Sequence, residues 1–487
     1  MTADEYAALA TACDALLLDP AASPDRLNVA WLHLMSEHPA VLRHYAGALQ
    51  GRGPSASARA KEMLRIARII GARHERAVDT VLPACADILI VSHLVNPAHA
   101  GATTDFYFGE LPDYLATHGL QVVVALINHA PGDVVRLARA VARTGALTRT
   151  LLPRTLGLTG EVHNLLRARA LRRGLRERAR GGDASAAVAR AAAGHTVATG
   201  TLAAMRIAQQ IGALARGLQP RMLLLTHEGH AWERATMRAV RAAVPAIRCV
   251  GYQHTILFPR QHAISRGLTA DCNPDLILTI GESNAQALRA RPALAGARIE
   301  VYGSHRRAAA RAREPNPARC LVLPEGLEAE SVTLYGFAIR CARLMPGFEF
   351  VLRAHPVLPV STVLERHPQL RDLPPNVHIS DEAHIGADFD RCGWALYRGS
   401  SAAIHAVLAG LLPVYLSQAG EMPIDPLFTL QERPTPVARP EEFAERVAAQ
   451  TLKGANIAAA ERRAALSWGD SYVVPPRHEL VARLLAT

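Results

Sequence analysis

The chain has 487 residues, 49% hydrophobic and 20% charged, with a formal net charge of +11. That length supports two or three domains with large cores, and the composition excludes an intrinsically disordered chain. The positive balance suits anionic partners, but no basic segment is interleaved with aromatics for base stacking, so nucleic acid is not an expected partner.

The seven cysteines stand singly with no CxxC pair, which argues against a zinc ribbon or a disulfide framework. A scattered, odd set fits a reducing cytoplasm. The N-terminus, MTADEYAALATACDALLLD, lacks the basic start and long apolar core of a signal peptide. No apolar run reaches the length of a membrane-spanning helix. The expected location is therefore cytoplasmic.

Residues 1–80 read as a helical extension, because Leu27 to Leu49 and Ser57 to Ile70 show helical apolar spacing and no strand-like run occurs. From Ala86 the texture changes. Residues 87–91 (DILIV) form a buried-strand run, a helix follows as far as about His118, and residues 121–127 (QVVVALI) form a second strand. This βαβ rhythm predicts a parallel sheet. Ligands in such sheets sit outside the carboxyl ends of strands, so the loop Ser92–Pro97, with His93 and Asn96, is a candidate wall. Residues 161–182 are dense in arginine (Arg167, Arg169, Arg172, Arg173, Arg176, Arg178, Arg180). That segment reads either as a solvated helix face or as a patch for anionic lipid or an anionic acceptor. Ser185 to Arg216 reads as one long Ala-rich helix.

Alternation resumes with a strand at 221–225, the turn Thr226-His227-Glu228-Gly229-His230, and a helix from Ala231 to Val244. A strand from Ile247 ends in Gln253-His254. Further strands fall at 276–280 and at 299–302, the latter ending in Gly303-Ser304. The polar, basic stretch around 306–318 reads as a linker. A second strand–helix series then runs from Cys320, with helices closing the chain from 440. The expected division is an extension at 1–80, a Rossmann-like domain at 81–305, the linker at 306–318, and a second Rossmann-like domain with closing helices at 319–487.

The stretch WALYRGSSAAIHAVLAGLLPVYL (394–416) reads as strand, tight turn, helix and strand, with Pro413 stopping the helix. Ser400-Ser401 after Gly399 is either an ordinary helix cap or a phosphate cradle. Three other groups fall at strand ends. His227-Glu228-Gly229-His230 is not HExxH, so a zincin is a poor reading; Glu228 is a candidate base or nucleophile. Glu325-Gly326 either approaches a nucleotide or caps a helix. Arg353-Ala354-His355-Pro356 is held extended by its proline and offers an imidazole and a guanidinium. Neither GxGxxG nor GxxxxGK[ST] occurs. Two Rossmann-like halves imply a ligand between them.

The order of these elements, an acidic-Gly pair in the first half, then His-Pro, then Ser-Ser, resembles the three short motifs of bacterial sialyltransferases, polysialyltransferases and capsule Kdo transferases. The resemblance covers roughly residues 85–430. It implies an α/β GT-B fold of two Rossmann-like domains facing a cleft, the first for the acceptor and the second for the nucleotide-sugar donor. It also implies a CMP-activated ulosonic acid as donor and an oligosaccharide or glycolipid acceptor. On this likeness Glu228 supplies the catalytic carboxylate, with His227 standing where the family has a second acid. His355 and Pro356, with Arg353, serve the nucleotide, as do Ser400 and Ser401 with Gly399, Glu325 and Gly326. His93, Asn96, His230, Gln253, His254 and Ser304 are the acceptor-side and cleft candidates. GHAWER, GYQH and YGS also look like surface-polysaccharide biosynthesis proteins.

The chemistry suits these groups. Departure of CMP leaves charge on one phosphate, which hydroxyls, backbone N–H groups and an imidazole stabilise without a metal, while a carboxylate activates the acceptor hydroxyl. No metal ligand set and no cofactor are expected, and the membrane contact, if made, is peripheral. An NDP-hexose transferase, a CDP-polyol phosphotransferase and a non-catalytic glycan- or nucleotide-binding protein stay open as alternatives.

Overall fold

The computed structural model describes residues 1–52, 55–72, 81–306, 316–431, 435–453 and 455–486. Strands form where aliphatic residues run together. Ile88–Leu94 (β1), Val122–Asn128 (β2), Thr148–Leu151 (β3), Met222–Thr226 (β4), Arg248–Gln253 (β5), Leu276–Thr279 (β6) and Arg298–Val301 (β7) make one sheet in the order β3-β2-β1-β4-β5-β6-β7. All of its pairings are parallel. Ile88 to Val91 are fully buried, as a strand covered by helices on both faces requires.

The second sheet holds Arg319–Leu323 (β8), Glu349–Leu352 (β9), Val377–Ile379 (β10), Trp394–Tyr397 (β11) and Leu412–Tyr415 (β12), in the order β10-β9-β8-β11-β12. It too is parallel throughout. In both sheets the strand order reverses beside the first strand, between β1 and β4 and between β8 and β11. Ligands bind in the crevice at such a switch point. The chain is thus an α/β protein of GT-B architecture, with two Rossmann-like domains and a cleft between them, as the sequence leads one to expect.

Four details differ from the sequence reading. β3 is an edge strand whose sequence, TRTL, carries too little apolar signal to stand out. The helix expected over Ser185–Arg216 is two, Ala184–His195 and Thr199–Leu218, and the Thr201 hydroxyl donates to the His195 carbonyl at the break, 2.9 Å away. Pro413 does not stop a helix. It lies inside β12, at the sheet edge where a missing N–H costs least, and the helix before it, Ala402–Leu408, has already ended at Gly410 with φ 81°. Finally, the C-terminal segment does not stay with the second domain. Val474 N–H donates to Ile280 O at 3.0 Å, Arg477 N–H to Tyr302 O at 2.8 Å, and helix His478–Ala486 packs on the first domain.

The extension is helical as expected, with helices Ala3–Leu18, Pro39–Leu49 and Ala56–Gly71. It shares a core with the first domain, where Leu16, Leu32 and Leu42 meet Leu171, Val188 and Leu202. Most of the linker expected at 306–318 lies outside the described residues, as do 73–80 of the extension. Six of the seven cysteines are buried, and Cys85 is exposed. Among the described residues no helix is long and apolar enough to cross a membrane.

Candidate active site

The first side of the cleft is built at the end of β4. The chain turns through His227–His230 into the helix Ala231–Ala243. A helix start leaves its first N–H groups without partners. Here the buried Glu233 carboxylate takes them, accepting from the N–H groups of Glu228 at 2.9 Å, Gly229 at 2.7 Å and His230 at 2.9 Å. This helix terminus is therefore filled by its own chain and is closed to a ligand anion. His227 packs beneath, fully buried, with Nδ1 3.1 Å from Glu233 Oε2. It supports the turn from inside and does not reach the cleft, which corrects its placement among the catalytic residues. Gly229 adopts φ 86°, and a Cβ there would lie 2.2 Å from the backbone of Ala263. Only glycine fits that position.

The turn leaves Glu228 facing the cleft. Its carboxylate stands 3.3 Å from His230 Nε2 and 3.6 Å from His254 Nδ1. Burial pushes the carboxyl pKa up, but the His230 hydrogen bond and, at the acid pH where Glu228 titrates, the charge of a protonated His254 outweigh it and hold the group down at about 2. Burial takes His254 down to about 4, so its imidazole is neutral near pH 7. His93, at the end of β1, bridges the switch point with Nε2 2.9 Å from Thr226 Oγ1 and Nδ1 3.0 Å from His129 Nε2. Burial, with His129 beside it, lowers its pKa to about 3.

The second side is built the same way at β8 and β11. Glu325-Gly326 follows β8, Gly399-Ser400-Ser401 follows β11, and His355 follows β9. Gly399 N–H donates to Glu325 Oε1 at 2.9 Å. The fully buried Arg398 anchors the loop, with Nε 2.5 Å from Glu330 Oε2 and Nη2 2.6 Å from Glu421 Oε2. Ser401 has helical dihedrals and its side chain makes no cap bond. Burial lowers the His355 pKa against the opposing pull of Glu325.

One cavity of about 530 Å³ joins the two sides. Glu228, His254 and Ser304 line it from the first domain, and Glu325, Gly326, His355, Gly399, Ser400 and Ser401 from the second. A larger cavity, about 930 Å³, is lined by Trp394, Leu412, Arg446, Lys453 and Trp468. Trp394 and Leu412 are the first residues of β11 and β12, so that cavity lies at the opposite end of the sheet from the switch point.

No protein-family model matches the chain, and no curated protein matches it. Among solved structures it is similar to the kitacinnamycin glycotransferase, at 17% identity and a TM-score of 0.47, over 83% of this chain and 100% of that one. It is also similar to MurG of Acinetobacter baumannii, at 10% identity and a TM-score of 0.45 over 82% of this chain and 98% of that one. A third likeness is to the UDP-GlcNAc 2-epimerase of Neisseria meningitidis, at 10% identity and a TM-score of 0.46 over 82% of this chain and all of that one.

Several expected residues lie elsewhere. Arg353 turns into its own domain, where Nη1 is 2.6 Å from Asp388 Oδ2 and 2.7 Å from Glu382 O. Gln253 is fully buried and accepts from Asn284 Nδ2 at 2.8 Å. Asn96 is an exposed cap, its Oδ1 accepting from Ala98 N–H at 2.9 Å. Pro356 is exposed beside His355, and His230 contacts Glu228 at 3.3 Å without lining the cavity. The sequence reading also missed residues. Glu233 stands three positions after His230, the spacing of a capping box, and that was its available signal. Arg306 follows the Ser304 strand end, lines the cavity and lays its guanidinium 3.8 Å from the centre of the Phe106 ring. Its nitrogens donate to the Phe106 carbonyl at 2.6 and 3.1 Å, and among the described residues no carboxylate pairs with it. Among the described residues one set of side chains brings His and Glu atoms close enough to share a metal: His38, Glu325 and Glu330.

Proposed function

We propose that the protein is a glycosyltransferase that moves a CMP-activated ulosonic acid, of the Kdo or sialic type, onto a surface-glycan acceptor. The observation that carries this reading is the cleft itself. An ionised Glu228 on one wall faces His355, Ser400 and Ser401 on the other, each group at the switch point or strand end of its own sheet. Arg306 supports an acidic donor sugar, since it offers a cation inside the cavity that no described carboxylate takes up.

In this reading the donor phosphate lies against the Ser400 and Ser401 hydroxyls and the His355 imidazole. The acceptor oxygen attacks the anomeric carbon, and the bond pair to the phosphate oxygen leaves with CMP. Glu228 takes the acceptor hydroxyl proton. A carboxylate this acidic holds the proton weakly and passes it on to solvent in the open cleft. Arg306 pairs with the sugar carboxylate. The test is transfer from CMP-N-acetylneuraminate and CMP-Kdo to glycan acceptors, with the parent protein, Glu228→Gln and Arg306→Gln. The reading requires that the parent transfers, that Glu228→Gln does not, and that Arg306→Gln loses affinity for the sugar nucleotide but not for CMP. A parent that transfers only neutral hexoses from UDP or GDP overturns the donor assignment.

A peripheral membrane contact belongs to the same proposal. Leu158, Val162 and Leu166 are exposed at four-residue spacing along one face of helix Gly157–Arg178, and Arg169, Arg173 and Arg176 continue that face. Helix Ala56–Gly71 packs beside it and exposes Met63 and Leu64. An apolar strip bordered by arginines fits an anionic bilayer surface.

A further inference from the structure

The segment from Leu27 to His38 ties the N-terminal extension to both walls of the cleft. His33 Nε2 is 2.9 Å from Leu27 O, and its Nδ1 is 3.2 Å from the carbonyl of Gly229, the residue after Glu228. Arg266 Nη2 donates to the same Nδ1 at 2.6 Å, and Arg266 Nη1 is 2.9 Å from Asp14 Oδ1 in the first helix. Ala263 N–H donates to Leu34 O at 3.0 Å. The extension is thereby indexed to the Glu228 turn through fully buried side chains.

Beyond Leu34 the chain crosses to the other domain. Glu37, fully buried, accepts from Arg260 N–H at 2.8 Å. His38 Nδ1 accepts from Ala40 N–H at 3.1 Å, which places the imidazole proton on Nε2. That nitrogen lies 3.3 Å from Glu325 Oε2 and 3.7 Å from Glu330 Oε1, in the second domain. Between Leu34, held to the first domain, and His38, held against the second, Met35 and Ser36 are half-exposed and line the cavity. The Ser36 oxygen accepts from His38 N–H at 3.0 Å, which leaves its own proton to be donated.

We infer that Met35 and Ser36 form a wall of the sugar subsite, with the Ser36 hydroxyl donating a hydrogen bond to the transferred sugar. This rests on the nucleotide-sugar reading above. Both walls hold the segment, and a substrate whose phosphate lies at Ser400 and Ser401 and whose anomeric carbon approaches Glu228 lays its sugar between them. Met35 and Ser36 belong to the extension, so the cavity wall is not made by the two Rossmann-like domains alone. The extension thus acts on which sugar is accepted and leaves nucleotide recognition to the second domain.

The experiment is calorimetry on the full chain, comparing the parent with Ser36→Ala and Ser36→Leu, each checked for native circular dichroism. The probes are CMP and UDP and two sugar nucleotides, CMP-N-acetylneuraminate and UDP-N-acetylglucosamine. For whichever nucleotide the parent binds, Ser36→Ala should hold the free nucleotide within about twofold and its sugar conjugate about fivefold more weakly, the effect of one lost hydrogen bond. Ser36→Leu should weaken the conjugate at least about tenfold, with the free nucleotide again unchanged. Unchanged affinity for the conjugate in both variants, or equal losses for nucleotide and conjugate, overturns the subsite alone. A parent that binds none of the four overturns the nucleotide-sugar reading and the subsite together.

Discussion

Gly399 and Glu325 meet across the switch point of the second sheet, the N–H of one donating to the carboxylate of the other at 2.9 Å. The contact joins the loops after β11 and β8. It exists because residue 399 has no side chain: a Cβ there would stand 2.7 Å from the Glu325 carboxylate. The loop that carries Ser400 and Ser401 is thus set by a glycine and an acid that sequence spacing does not connect.

Gly399→Ala should therefore push Glu325 aside and shift the serine loop. The expected outcome is about tenfold weaker nucleotide binding with a loss of about 1–3 kcal/mol in stability, the usual range for overpacking. Calorimetry and urea melts check it. Unaltered nucleotide affinity would mean that the loop position is not set by this contact.

Glu228→Gln and His227→Gln separate the two neighbours. Glu228→Gln should lower turnover by about 10²–10⁴-fold with nucleotide affinity retained, as for loss of a proton-accepting group. His227→Gln disturbs a fully buried contact with Glu233, so its first effect should be a lower urea midpoint. Equal turnover losses with equal stability would erase this distinction.

Arg353→Ala and His355→Ala, two positions apart, should differ in kind. Arg353 is held by Asp388 within its own domain, so its loss should reduce stability and leave the nucleotide Kd unchanged. His355→Ala should leave the melt nearly unchanged and weaken nucleotide binding about tenfold, the effect of a lost hydrogen bond to a charged group. The reverse pattern would place Arg353, not His355, at the ligand.

The pH dependence of stability follows from the buried imidazoles. His254 titrates at about 4 and His93 at about 3 in the folded chain, whereas unfolded histidine takes up its proton near 6.5. Between these values the unfolded chain binds more protons, so stability rises with pH and falls on acidification from about 6.5 towards 4. Glu228, held at about 2, adds stability that is full above the ordinary Glu value of about 4.3 and is lost as pH falls through 2. Urea midpoints at pH 7 and pH 5 should drop more in the parent than in His254→Gln. An identical drop would show that His254 is not held neutral.

Replacing Arg169, Arg173 and Arg176 by glutamate should abolish co-sedimentation with vesicles rich in phosphatidylglycerol while leaving the melt unchanged. Binding to neutral vesicles, or binding that survives the three changes, would contradict an anionic membrane contact. Each arginine near such a surface contributes about 1 kcal/mol.

The two sheets were legible because parallel strands buried on both faces carry continuous apolar runs, as in DILIV and VVVALI. β3 was not, because TRTL at a sheet edge holds one apolar residue after three polar ones. The site was legible where its residues stand at strand ends: Glu228, Glu325, His355 and Ser400-Ser401 all reach one cavity. His227 and Arg353 have the chemistry of the site but face inward, and side-chain direction at a turn is decided by partners distant in sequence, here Glu233 and Asp388. Met35 and Ser36 were illegible for a similar reason, since they sit in a helical extension and reach the cleft only through contacts with Ala263, Arg260 and Glu325.

The central claim is that the cleft between the two domains binds a CMP-sugar at His355 and Ser400-Ser401. The most direct measurement is a calorimetric titration of the parent and of Ser400→Ala/Ser401→Ala with CMP, CDP, UDP and GDP, with and without Mg²⁺. The account predicts saturable, CMP-selective binding by the parent, the same with or without the cation, and at least about tenfold weaker binding by the double variant. Preference for UDP or GDP, or CMP binding that the double variant retains in full, would contradict it.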